Sequence, residues 1–282
     1  MPLFKYVTLD RIDILVNQEI RYTQLGAFND PFEFPLFLEK VLNFSTWESQ
    51  YDEKFLNSMR VEYEMLSDEV KLRMPFDVFL MRVRERTVPA LTQHFERKND
   101  EVILEAREIL RQSAQLSGGL SLTETPDNLL MWAHYSGQHT GMVIEVDELH
   151  SIFDERRSLQ DDLRYLREVA YLDIRPICKT LEDFSYADYM LTKSNEWSYE
   201  KEWRIAKTVA DAKRIIPDSP YDICLFHMPA IAIKRVILGA RVNPEDRDRI
   251  KNILRTTPHL DHVRLQQASL DERRFALNFV DY

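Results

Sequence analysis

The chain has 282 residues, 44% hydrophobic and 30% charged, the make-up of a folded protein able to bury a sizeable core. Acidic residues number 47 against 37 basic ones, a formal net charge of −10, so the field of the whole molecule repels polyanions and general nucleic-acid affinity is disfavoured. Two distant cysteines, Cys178 and Cys224, argue against a disulfide framework or a structural zinc site. No apolar run is long enough to span a bilayer; a cytoplasmic protein with no membrane partner is expected.

In chain order, the first expected element is a strand over residues 3–7. Thr8 then reads as a helix cap, and Leu9, Ile12 and either Ile14 or Leu15 give a helical apolar face. Ile20 and Tyr22 mark a second strand, and Gly26 opens a turn into Phe28, Asn29, Asp30, Pro31, Phe32 and Glu33. Two readings of that turn stand side by side. In one, Asn29 or Asp30 accepts backbone N–H bonds inside an aromatic-clamped loop. In the other, Asn29, Asp30 and Glu33 stand at the mouth of a pocket, because a polar triplet between phenylalanines is more than a turn needs.

Residues 45–116 read as helices. Ser45 with Glu48 forms a capping box, and Trp47, Tyr51, Phe55, Met59 and Tyr63 recur as a packing stripe. A second helix is expected over residues 77–95, with Pro89 as a kink or boundary, and a third over 100–116. Alternating charges make this segment a helical insertion with a solvated surface.

Residues 118–124 alternate as a half-buried strand. A helix follows, with Thr125 as cap, Pro126 at its first position and Gly137 as its stop; Met142, Ile144 and Val146 then share one strand face. Trp132, His134 and Tyr135 crowd one helical turn, where rings either fill a core or line a concave site. The charged stretch 148–168 reads as a surface helix, Val169 and Tyr171 resume a strand, and Phe184, Tyr186, Tyr189 and Met190 give a helical face. In residues 197–209, Glu200, Glu202, Arg204 and Ala206 point one way while Trp203, Ile205 and Val209 point the other. The last third adds a strand over 235–238, a turn at Gly239, a helix capped by Asn243 with Pro244 at its start, and strands near 262–265 and 274–279.

No HExxH, paired CxxC or EF-hand spacing is present, so no metal site is expected, and the turn at Gly137 separates His134 from His139. GxGxxG, Walker and GxSxG patterns are absent as well. What remains is Glu200 and Glu202 beside Arg204. These form either an external salt-bridge ladder or a carboxylate pair that holds a ribose hydroxyl and supports positive charge developing at an anomeric carbon.

Lys5-Tyr6, FNDPFE at residues 28–33, SLTE followed by DNLLMWAHYSG ending at Gly137, and YEKEWR at residues 199–204 together resemble a large, mostly bacterial family of unknown function. More remotely, the layout resembles the ADP-ribosyltransferase superfamily. That resemblance implies one α+β domain over residues 1–282, with a bent mixed or antiparallel sheet and a helical insertion over 45–116. It implies an NAD-using transferase with Lys5 or Tyr6 on the opening strand, Ser121 or Thr123 on the hydroxyl-bearing strand, Glu202 as the catalytic glutamate and Glu200 as its neighbour. Trp132, His134 and Tyr135 are expected beside NAD, and Asn29, Asp30, Glu33 and Arg204 in the pocket wall. The acceptor, whether protein, nucleic acid or small molecule, is left open, and Glu202→Gln is expected to keep the fold. Two other classes compete: a noncatalytic module binding a nucleotide or protein through the ring cluster, and a nuclease holding Mg²⁺ with Asp30, Glu33 and Glu202.

Overall fold

Alternation of apolar and polar residues builds most of the strands, and the computed structural model describes residues 1–33, 44–176 and 185–282, leaving out the side chains of residues 44–52, 88, 90, 91 and 95. Strands β1 (Leu3–Val7) and β2 (Glu19–Gln24) flank the short helix α1 (Asp13–Val16). Helices α2 (Phe44–Glu64), α3 (Asp68–Arg73) and α4 (Phe76–Gln115) follow. The expected strand, helix, strand unit is β3 (Ser117–Thr123), α5 (Leu129–Tyr135) and β4 (Met142–Val146). Next come β5 (Arg167–Glu168), β6 (Ala170–Leu172), α6 (Tyr186–Met190), β7 (Thr192–Ser194) and β8 (Glu202–Thr208). The chain closes with β9 (Arg214–Ile216), β10 (Ile223–His227), β11 (Ile233–Leu238), α7 (Pro244–Thr256), β12 (Arg264–Leu270) and β13 (Leu277–Asp281).

Several local expectations change for identifiable reasons. Asn128, not Thr125, caps α5: its side chain accepts from the N–H groups of Leu130 and Met131. Residues 125–127 stay outside the helix because the Thr125 carbonyl accepts the Tyr6 hydroxyl and the Pro126 carbonyl accepts the Trp132 indole. Thr8 makes no cap either, since its hydroxyl turns to Asp10 and a 3-10 turn precedes α1. The expected second and third helices are one, α4, which runs on through Pro89. Residues 148–168 hold a 3-10 turn and a β-bridge between Asp154 and Tyr165 instead of a helix. There the Asp161 carboxylate accepts the backbone N–H groups of Arg157, Leu163 and Arg164, so a side chain takes bonds that a helix would need. Trp47, Tyr51, Phe184 and Cys178 fall outside the described residues or side chains.

Two compact units divide the chain. One comprises Met1–Pro35, Arg111–Arg175 and Tyr186–Tyr282, the other Leu36–Leu110 and Pro176–Ser185. In the helical unit Phe55 and Met59 are buried, and Tyr63 packs on Phe76 and Phe79 while its hydroxyl donates to the Met74 carbonyl. No helix among the described residues is long and apolar enough to cross a membrane.

The first unit carries an α+β fold built on a mixed, largely antiparallel sheet of eleven strands, with β6 and β7 as a separate parallel pair. Its main path runs β13-β12-β11-β4-β1-β3-β2-β10-β9, and only β11 and β12 pair in parallel within it. Strand β8 pairs with β3 along its full length, from Ser117↔Thr208 to Thr123↔Glu202. The other edge of β3 is shared: β1 meets it at Phe4↔Thr123, β2 at Thr23↔Gly119 and Gln24↔Gly118. Between those contacts the two strands part from β3 and leave a fork.

A charge-balanced cavity at the fork in the sheet

Register decides what the fork contains. Phe4, Thr123 and Glu202 sit opposite one another across three strands, as do Ser121 and Arg204, and Thr23, Gly119 and Ala206. The opposite face of β3 and β8 presents Leu120, Leu122 and Ile205 to the main apolar core. The charged face of β8 therefore lines a cavity of about 250 Å³ together with Lys5, Tyr6, Phe28, Glu33, Met131, Tyr135 and Lys193. Gly119 is required beside it, because a Cβ there would lie 2.9 Å from the Phe28 ring, whose face covers the Arg204 guanidinium at 4.8 Å.

Three cations and three carboxylates meet in this cavity. Arg204 grips Glu202 with two bonds of 2.6 and 2.8 Å, donates to Glu33 at 2.6 Å and to the Met190 carbonyl at 2.7 Å. The Lys193 ammonium lies 3.2, 2.6 and 3.2 Å from Glu33, Glu200 and Glu202. Lys5, the third cation, donates to the Ser121 carbonyl at 2.9 Å. Glu200 also accepts the Tyr135 hydroxyl at 2.7 Å, and Asn29 donates to that hydroxyl at 3.2 Å.

The external-ladder reading of these residues is overturned: Glu200, Glu202 and Arg204 are 3%, 4% and 2% exposed. Glu200 is also not on the strand. It ends a 3-10 turn, and Lys201, in the left-handed region at φ 43°, reverses the chain so that both carboxylates face Lys193. Burial alone raises a carboxyl pKa, but Arg204 and Lys193 outweigh it and hold Glu202 below the ordinary range. Glu33 moves the other way, burial being its largest influence. Burial also lowers Lys5, to about 8, and raises the Tyr135 phenol, with Glu200 adding to that rise.

Of the candidate site residues, Lys5, Tyr6, Ser121, Thr123, Tyr135, Asn29, Glu33, Glu200, Glu202 and Arg204 all line the cavity. Three residues do not. Trp132 is fully buried, packs edge-on against Tyr6 and stacks on His139, so it belongs to the core. His134 lies exposed on α5 away from the cavity wall. Asp30 accepts the Phe32 N–H and serves its own turn, as the first reading of that loop has it. Lys193 was the residue missed. A lysine in an ordinary Thr-Lys-Ser strand carries no sequence signal, and only the parallel pairing of β6 with β7 brings it inward.

A protein-family profile matches residues 131–205. The matched family is described as a protein of unknown function (DUF2971). The matched stretch runs from α5 into β8 and so contains Tyr135, Lys193, Glu200, Glu202 and Arg204, the larger part of the ionic cluster. No curated protein and no solved structure matches the chain.

Proposed function

We propose that the fork cavity takes the nicotinamide-ribose end of NAD and that the chain is an ADP-ribosyltransferase-like enzyme. The observation that carries this reading is the convergence of Lys5 and Tyr6 from β1, Ser121 and Thr123 from β3, Glu200 from the 3-10 turn before β8 and Glu202 from its start on one cavity. NAD supplies a glycosidic bond to a positively charged leaving group. A cavity of about 250 Å³ suits one end of such a molecule, and its rings and hydroxyls supply apolar walls and hydrogen-bond partners.

The roles of the two glutamates follow from their free valences. Arg204 and Lys193 occupy both oxygens of Glu202, which therefore positions the cluster. Glu200 accepts one bond on each oxygen, from Tyr135 and Lys193, and keeps lone pairs for a ribose hydroxyl. Its negative charge is the one placed to oppose positive charge developing on the sugar. The Mg²⁺ nuclease reading loses ground because the Lys193 ammonium already fills the centre of Glu33, Glu200 and Glu202, and Asp30 lies elsewhere. Among the described residues no His, Cys, Asp and Glu group is arranged to hold a metal. The binding-module reading loses two of its three rings, Trp132 and His134.

The test is NAD consumption and nicotinamide release, with NAD affinity measured in parallel and cell extract supplying acceptors. Glu200→Gln is expected to lower turnover by about 10²- to 10³-fold, the range typical of a lost electrostatic contact to a transition state, while changing affinity little. A wild-type protein that neither binds nor consumes NAD rejects the proposal.

A further inference from the structure

Strand β2 sends Ile20 and Tyr22 into the apolar core and Glu19, Arg21 and Thr23 to the opposite face. That face lines a second cavity of about 270 Å³, whose wall shares Lys5, Tyr6, Thr23 and Tyr135 with the fork cavity. Its acidic residues already have partners. Glu19 accepts Arg214 at 3.0 and 2.6 Å and lies 3.3 Å from Lys213, and Asp13 accepts the Asn17 amide at 2.6 Å. Its arginines are less well served. Arg11 reaches only Asp10, at 3.5 Å, and Arg21 has no hydrogen bond or ion pair among the described residues, with its Nε shut off from solvent.

A half-buried guanidinium whose Nε has neither water nor an acceptor is left unsatisfied, and its planar fork matches the oxygens of a phosphate group. We infer that this second cavity is an anion subsite that binds a phosphate or diphosphate group through Arg21 and Arg11, next to the fork cavity. The two cavities then accept the two ends of one ligand, a sugar on the carboxylate side and its phosphoryl group on the arginine side. The inference rests on Arg21 and holds whether or not NAD is the ligand of the fork.

Calorimetric titration of the full chain with inorganic pyrophosphate, at low ionic strength and without NAD, tests it. Arg21→Gln is expected to weaken binding at least about tenfold, which corresponds to about 1.4 kcal/mol. Arg11→Gln should weaken it less, and Arg273→Gln, at an exposed turn, should leave it unchanged. Losing an unpaired charge, the Arg21→Gln protein should melt no lower than wild type, so a fall in binding is read on a folded chain. Should it fail to fold, Arg11→Gln measured against Arg273→Gln decides. Pyrophosphate that does not bind wild type, or that binds the Arg21 and Arg11 variants as tightly, overturns the subsite, as does equal weakening by Arg273→Gln. Binding of pyrophosphate in a protein that neither binds nor consumes NAD would sink the transferase proposal and leave this one standing.

Discussion

Glu202 shows how much a single buried charge is tied to its neighbours. Its bidentate pair with Arg204 and its contact with Lys193 are all internal, so removing the carboxylate charge leaves two buried cations with only Glu33 and Glu200 to balance them. Glu202→Gln is therefore predicted to destabilise the fold by about 3–5 kcal/mol, the cost of breaking one side of a buried pair, and not to be structurally silent as the sequence implied. Urea unfolding of wild type and variant measures this, and equal midpoints would refute it. Lys5 gives a pH dependence of its own. Its folded pKa near 8 lies below the unfolded value, so between about pH 8 and 10.5 the unfolded state holds the extra proton and stability rises with pH. Lys5→Met should remove that rise from melting curves, and an unchanged pH slope would show that the ammonium is better solvated than its enclosure indicates. The alternation of Glu202 with Arg204 was legible in the chain, but the 3-10 turn that carries Glu200 and the burial of all three were not, because a charged strand face looks the same in sequence whether water or Lys193 covers it.

At the scale of elements, β3 sets the site. It pairs with three strands, and Gly119 on it makes room for the Phe28 ring over Arg204. Gly119→Ala should cost about 1–3 kcal/mol by overpacking, read from denaturant midpoints. A neutral result would mean that Phe28 can withdraw freely from Arg204. Strands β1, β3, β4 and β11 and helix α7 with its Asn243 cap were readable, because period-two alternation and a polar cap before proline are local signals. Strands β9 and β10 were not. Cys224 and Phe226 on β10 look like an ordinary apolar run, and only pairing with β2 makes them a strand. The stretch 148–168 misled for a related reason: helical composition lost to the backbone bonds that Asp161 gathers.

For the whole molecule, the division into two units assigns the cavity to one of them. Every residue that lines the fork cavity belongs to the unit containing the sheet. Replacing residues 36–110 by a Gly/Ser linker of about 20 residues is predicted to leave a cooperatively melting sheet. Loss of the near-ultraviolet circular dichroism signal in that variant would show that the sheet depends on the helices. The chain reads as a helical insertion over residues 45–116, whereas the sheet-bearing unit resumes at Arg111, inside α4.

The pairing of Thr23 with Gly119 also fixes an order of events in time. In an ordinary hairpin the second strand follows within two to five residues, but here the whole of α2, α3 and α4 is synthesised first. At typical elongation rates that interval is roughly 5–20 s. Through it β1 and β2 are exposed edges carrying Leu3, Ile20 and Tyr22, with neither β3 nor β4 yet made to cover them. The nascent chain is thus most prone to aggregate while its helices are being made, and a ribosome-bound chaperone would matter most to this protein in that window.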